Sequence, residues 1–324
     1  MLSDRFGRRI DYLRISVTDR CDLRCSYCLP KGFKGFEQPK HWLNFDEICR
    51  VAAAFARLGC QRVRLTGGEP LLRKDLPLLA ARLATLPGLN DLSVSTNGTQ
   101  LLSQAQALYN AGVQRLNISL DSLRDTCVRQ ITGSDNLPRV LWGLAEARRV
   151  GFAPIKINMV PIVGVNDHDI EAMVAFCIEQ GFILRLIEAM PMGSSARQVQ
   201  GQALAPILAQ LQQRFDLQPS AQTLGGGPAR YWHTSDQGFT LGLITPLSQH
   251  FCASCNRVRL SVEGTLYLCL GQEQRFELRP LLRQGISDEG LEQAIRDAIE
   301  LKPEKHDFLE QPEKIMRFMS ATGG

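Results

Sequence analysis

The sequence predicts an α/β protein built on a parallel sheet. Three observations carry this. Short Val/Ile/Leu-rich runs alternate with longer amphipathic segments from residue 12 to residue 187. Each connecting segment is long enough for the crossover helix that parallel neighbours require. Gly59, Gly112, Gly151 and Gly181 each follow a helical segment, where a residue with left-handed backbone closes the last turn. The elements follow in order: strand 12–17, helix 46–58, strand 62–66, helix 76–86, strand 92–96, helix 101–111, strand 115–120, helix 137–150, strand 156–160, helix 169–180 and strand 182–187. Strand segments are short, apolar and β-branched, and helical segments run for three turns or more. Six such units make either a doubly wound sheet or an incomplete barrel. Both place functional residues at the carboxyl ends of the strands. Thr66-Gly67-Gly68-Glu69, Ser95-Thr96-Asn97-Gly98, Ser119-Leu120-Asp121 and Glu188-Ala189-Met190 all fall there.

After Met192 the rhythm changes, which divides the chain into residues 1–192 and 193–324. Residues 193–201 read as a polar loop and 224–228 as a glycine-rich turn. Strands are expected at 239–244, 257–262 and 265–268, and a helix at 289–299. The 324 residues are 44% hydrophobic and 22% charged, as in ordinary globular proteins, which argues against disorder. No run approaches the ~20 apolar residues of a membrane span. Residues 1–14 are charged and lack the apolar core of a secretory leader, so the expected location is the cytoplasm, with no membrane partner. A net charge of +4 is too small to argue for nucleic acid and suits an anionic small substrate.

The chemistry lies in the cysteines. Ten of them without a secretory leader point to metal or catalytic use rather than disulfides. Cys49, Cys60, Cys127 and Cys177 are scattered in apolar or helical contexts and read as small buried hydrophobes. Cys21, Cys25 and Cys28 form one triad, directly after the first strand; Cys252, Cys255 and Cys269 form another. Thiolates in threes suit iron–sulfur or zinc. A structural zinc wants four protein ligands, and only His41 and His250 are near enough in sequence to complete one; that alternative stays open. Four-iron clusters normally take four cysteines, so three leave a metal open to a small molecule. Arg257 and Arg259 follow the second triad at i, i+2, on one face of a strand, where they suit an anion or a purine edge.

The Cys-x3-Cys-x2-Cys loop, with Tyr27 before its last cysteine, resembles that of the radical S-adenosylmethionine enzymes. Gly67-Gly68-Glu69-Pro70 resembles that family's methionine-binding motif. The resemblance implies an incomplete (β/α)6 barrel, a 4Fe-4S cluster on the first triad, S-adenosylmethionine on its open iron, and an external one-electron donor. Residues 13–29, 64–73, 95–98, 117–121, 156–158, 188–193, 252–259 and the Gly323-Gly324 end narrow it. They resemble the GTP-cyclising members of the family, which open molybdenum cofactor biosynthesis. That resemblance implies a second 4Fe-4S cluster on Cys252, Cys255 and Cys269, in the C-terminal region. It places Tyr27, Gly68, Ser119 and Met190 around S-adenosylmethionine, and Arg14, Arg64, Ser95, Lys156, Arg257, Val258 and Arg259 around GTP. Arg257, Arg259, Gly323 and Gly324 are the implied catalytic residues, the tail reaching into the site. The implied downstream partner is a cyclic pyranopterin monophosphate synthase, and a homodimer is compatible. Two rivals remain: a peptide-modifying radical enzyme with an auxiliary cluster, and a zinc-dependent RNA-binding module.

Overall fold

The computed structural model describes residues 1–323, so the expectation on Gly324 lies outside the described residues. The strands are β1 (Tyr12–Ser16), β2 (Arg62–Thr66), β3 (Asp91–Thr96), β4 (Arg115–Ser119), β5 (Ile155–Met159), β6 (Ile183–Ile187), β7 (Leu217–Ser220), β8 (Arg230–Thr234), β9 (Thr240–Ile244), β10 (Arg257–Leu260), β11 (Thr265–Tyr267) and β12 (Arg275–Glu277). They form one sheet in the order β12-β11-β10-β1-β2-β3-β4-β5-β6-β9-β8-β7. From β10 through β1 and β6 to β9, every pairing is parallel. Antiparallel hairpins finish both edges.

The helices are α1 (Phe45–Arg57), α2 (Leu76–Ala84), α3 (Leu101–Asn110), α4 (Asp125–Thr132), α5 (Leu137–Val150), α6 (Ile170–Gln180), α7 (Gly193–Ala196), α8 (Leu204–Phe215), α9 (Arg279–Arg283), α10 (Asp288–Glu300) and α11 (Met319–Thr322). α1 shows why the local sequence folds as it does. Asn44 accepts the Glu47 N–H at 2.8 Å while the Glu47 carboxylate accepts the Asn44 N–H at 2.8 Å, a reciprocal cap. Its Ile48, Val51, Ala52 and Phe55 join Leu13, Ile15, Val63 and Leu65 in one core. The alternate residues of those strands, Tyr12, Arg14, Arg62 and Arg64, turn to the other face.

That polar face is the inside of a curl. Arg14 of β1, Arg185 of β6 and Arg257 of β10 line a single cavity, although β1 and β6 stand five places apart in the sheet. The edge strands β12 and β7 do not meet, so the barrel is incomplete. The region after Met192 extends the same sheet on both sides, through β9 beside β6 and β10 beside β1. The glycine-rich turn at 224–228 lies against the strand starts. A Cβ on Gly225 would sit 2.7 Å from Arg115 Nη1, and one on Gly226 2.8 Å from Arg62 Cδ. Gly225 also has φ +83°, a backbone conformation that favours glycine.

The six expected strands and five expected helices of the first part stand within a few residues of their places. α4 and α8 were not expected: α4 is only eight residues long, and α8 opens on Ala203 with no side-chain cap. The expected loop at 193–201 opens with the single turn α7. Among the described residues, no helix is long and apolar enough to cross a membrane.

Candidate active site

The carboxyl rim is built around the loop that follows β1. Cys21, Cys25 and Cys28 are partly buried, and none is in a disulfide. The Gly67-Gly68 turn presses on this loop. Gly68 N–H donates to Thr18 O at 2.8 Å and Glu69 N–H to Arg20 O at 2.7 Å. A Cβ would lie 2.2 Å from Thr18 O at Gly67 and 2.3 Å from Arg20 O at Gly68. These glycines therefore admit the cysteine loop itself.

Glu69 is fully buried and accepts bonds from Leu71 N–H (3.0 Å), Thr96 Oγ1 (2.6 Å) and Asn97 N–H (2.7 Å). Burial outweighs those donors and holds its pKa up at about 7. Asp22 accepts from Asn97 Nδ2 at 2.8 Å and Thr99 Oγ1 at 2.6 Å. Tyr27 donates its hydroxyl to Asp121 at 2.6 Å, and burial lifts Asp121 to about 6. Burial also pushes the Cys21 and Cys28 thiols up to about 12 and Cys25 well above its ordinary value. Three such thiols gain charge only when a metal takes them.

Inside the curl, five arginines are nearly inaccessible: Arg14 (8% exposed), Arg64 (5%), Arg185 (3%), Arg257 (5%) and Arg259 (6%). Among the described residues, none of them has a carboxylate within ion-pair distance. Among the described residues, the Nε atoms of Arg14, Arg257 and Arg259 have no hydrogen-bond partner. Arg185 is held by neutral amides, Asn158 Oδ1 at 2.8 Å and Asn117 Oδ1 at 2.7 Å. Burial, and after it the neighbouring arginines, lower the pKa of Arg14; Arg259 is brought down to about 10 by burial and Arg257. Buried like charges without anions are costly, so this is a site built to receive an anion. The cavity encloses ≈ 870 Å³ including its open mouth.

The second triad lines the same cavity. Cys252 and Cys255 bracket one helical turn, and Cys269 follows β11. The β10–β11 register pairs Arg259 with Tyr267, which brings Cys255 and Cys269 to the same end of the hairpin. Burial raises the Cys255 thiol, but Lys302 and Arg257 outweigh it and bring the pKa down to about 7. Among the described residues, no three His, Cys, Asp or Glu side chains are gathered tightly enough to hold a single ion. The His250 ring faces His306 instead, centroids 6.0 Å apart.

The C-terminal tail crosses the rim. Phe318 packs edge-on against Phe33 at 5.1 Å and against Gly193, where a Cβ would come within 2.7 Å of its ring. Gly323 has φ +69°, and a Cβ there would lie 2.2 Å from Thr66 Oγ1 at the end of β2. Ser320 and Thr322 are buried.

The radical SAM superfamily matches residues 15–177, and Molybdenum Cofactor Synthesis C matches residues 182–308. The GTP 3′,8-cyclase of Pseudomonas putida (strain W619) is 44% identical, over all of this chain and 98% of its own. Those of Pseudomonas entomophila (strain L48) and Hydrogenovibrio crunogenus are 45% and 44% identical, over all of this chain and 98% and 99% of theirs. The chain belongs to the GTP 3′,8-cyclase family. Its fold is also that of Streptococcus suis SuiB bound to S-adenosylmethionine, with TM-score 0.62 at 17% identity over 89% of this chain and 68% of SuiB. As radical S-adenosylmethionine enzymes, GTP 3′,8-cyclases use a 4Fe-4S cluster and S-adenosylmethionine.

Set against this family, the expected residues fall into groups. Arg14, Arg64, Arg257 and Arg259 share the lumen with Met190 and all three cysteines of the second triad. Ser95 lies on β3 in register with Asn117 of β4, and Ser119 ends β4, exposed. Lys156 is buried on β5 but turns its Nζ to Leu224 O and, at 3.4 Å, to Tyr231 Oη. Val258 points to the opposite face from Arg257 and Arg259, fully buried in the apolar core, so only its backbone is available to the lumen. Sequence reasoning missed Arg185, Asn117 and Asn158 as site residues. Arg185 had a readable signal: it is the lone charge in the apolar strand Ile-Leu-Arg-Leu-Ile.

Proposed function

We propose that this chain cyclises GTP to (8S)-3′,8-cyclo-7,8-dihydroguanosine 5′-triphosphate, the first step of molybdenum cofactor biosynthesis. One observation carries the reading: five buried arginines, without a carboxylate partner among the described residues, converge with the second cysteine triad in one cavity. Cys21, Cys25 and Cys28 would hold the first 4Fe-4S cluster. Tyr27, Gly68, Ser119 and Met190 would surround S-adenosylmethionine. Both triads fit such a cluster by donor chemistry, three soft thiols each with no fourth cysteine beside them. Cys252, Cys255 and Cys269 would hold a second 4Fe-4S cluster facing the guanine. When bound, the first cluster and S-adenosylmethionine would supply the radical chemistry that activates the ribose 3′ position.

The protein's own part is binding and exclusion. Arg14, Arg64, Arg185, Arg257 and Arg259 would neutralise the triphosphate and fix the ribose, with Ser95, Lys156 and the Val258 backbone beside them. Fixing C3′ near C8 favours ring closure over every competing reaction of the substrate radical. Burial keeps water from it. One electron from an external donor and one proton complete the product, which a cyclic pyranopterin monophosphate synthase consumes. Gly323 would close the site from the rim. The boundary at 192/193 separates the first cluster's region from the region of the second.

The test is an anaerobic assay with S-adenosylmethionine, a one-electron reductant and GTP. Equal amounts of 5′-deoxyadenosine and cyclised GTP are expected. Deoxyadenosine with GTP left intact, or consumed only when a peptide is added, would sink the assignment.

Lys156 gives a pH-dependent expectation. Burial and Arg185 push its amine from the ordinary 10.5 down to about 6, so the ligand-free folded protein holds it neutral at pH 7.5. Triphosphate beside it restores the ammonium, so GTP binding takes up a proton, seen as a dependence of calorimetric heat on buffer ionisation. Lys156→Met abolishes that dependence. Because the folded pKa is depressed, this group's contribution to stability is complete above 10.5 and is lost as pH falls toward 6. Ligand-free Lys156→Met should therefore gain stability relative to the parent protein across that window.

A further inference from the structure

Each turn of the second triad is gripped by a buried cation. Arg8 Nη1 donates to Cys252 O at 2.9 Å. Arg317 Nη2 donates to Cys269 O at 3.3 Å and Leu270 O at 2.8 Å. Lys302, just past the end of α10 and 1% exposed, donates from Nζ to Arg257 O at 3.1 Å and to Leu268 O. Those two carbonyls lie two residues after Cys255 and one before Cys269, so Lys302 ties the two strands of the hairpin together at its cysteine end.

The three cations differ in one respect. Arg8 has its own anion in Asp4 at 2.6 Å, and Arg317 has Glu273 at 3.0 Å. Among the described residues, Lys302 has no carboxylate within ion-pair distance. Burial works most strongly against its charge, Cys255 and Cys269 favour it, and Arg8 and Arg259 oppose it. A buried ammonium needs an anion, and the two cysteines are the candidates on hand. The first triad is set differently: Asp22, Glu69 and Asp121 bear on Cys21 and Cys25, and the cation beside Cys28 is Arg24 of its own loop.

We propose that Lys302 is the fixed counter-cation of the cluster on the second triad, positioning its hairpin and raising its reduction potential. This rests on the reading that Cys252, Cys255 and Cys269 hold a cluster. A positive charge held beside a cluster favours the state with one more electron, and hydrogen bonding and net charge around a cluster are the protein's means of tuning it.

The test is an anaerobic redox titration of the reconstituted full-length protein, followed by electron paramagnetic resonance. The signal that changes on adding S-adenosylmethionine belongs to the first cluster, and the one that changes on adding GTP to the second. In Lys302→Met the second cluster's midpoint should fall by about 59 mV or more, tenfold in a one-electron equilibrium, with the first cluster's unmoved. Lys302→Arg, which keeps the charge, should restore most of the difference. Loss of the second cluster in Lys302→Met alone, with the first intact, also supports the proposal. A full second cluster at an unchanged midpoint in Lys302→Met overturns it. So does loss of that cluster in both variants, which would make the residue's role one of packing. If the parent protein takes up only about four irons, the two-cluster reading has failed, a result visible before any variant is made.

Discussion

Cys25→Ala should abolish 5′-deoxyadenosine formation, by on the order of a thousandfold or more, which is about 4 kcal/mol of barrier. Its thiol is partly buried and flanked by those of Cys21 and Cys28, and the loop is locked by the Gly68–Thr18 and Glu69–Arg20 backbone bonds. The remaining two thiols cannot hold a four-iron cluster. The damage should stay local, because the second triad is held by separate contacts from Arg8, Lys302 and Arg317. Iron should fall from about eight to about four per chain, not to zero. The mirror variant, Cys255→Ala, should keep some deoxyadenosine formation and lose the cyclised product. Chromatography of both nucleosides and an iron assay decide it. Deoxyadenosine at the parental rate from Cys25→Ala would remove the first triad from the chemistry.

Arg259→Ala should weaken GTP binding by about 10- to 150-fold, the 1.5–3 kcal/mol of a hydrogen bond to a charged group, with S-adenosylmethionine binding unchanged. Arg259 faces Arg14 across the β1–β10 pairing, and the Nε of each is without a partner. In the ligand-free protein these guanidinium groups repel each other at close range. Removing one should therefore leave the ligand-free melting temperature level or higher, while the shift that GTP produces shrinks. Arg259→Lys should recover only part of the affinity, since a point charge lacks the planar fork. A variant that melts earlier and binds GTP as well as the parent would make Arg259 a structural residue. Calorimetry and thermal unfolding with and without GTP separate the two cases.

The cysteine triads, the strand–helix alternation and the Gly-Gly-Glu turn were legible because each is local. Spacing within eight residues at Cys21–Cys28 is already ligand geometry, and a period of two or 3.6 records which face is apolar. Arg257 and Arg259 were legible for the same reason, two charges on one face of a short strand. Arg185 carried the same kind of mark, a charge alone in an apolar strand. Lys302, Arg8 and Arg317 carried none. Each acts on backbone carbonyls at least 30 residues away, as in the Lys302 bond to Leu268 O with a separation of 34, and no local pattern encodes such a contact.

The sequence by itself determined that this chain is a parallel α/β protein with two thiol triads and polar residues at strand ends. Tertiary structure alone decided that β1 and β6 curl until Arg14 and Arg185 share a cavity, and that residues after Met192 supply β9 and β10 on opposite sides of the first six strands. It also decided that Gly323 lies against Thr66. The physical reason is common to all three. Local propensity fixes which side of an element is buried, but the elements that meet there are chosen by how all the apolar faces close together. That closure is what gathers five arginines from four strands into one cavity that an anion can settle.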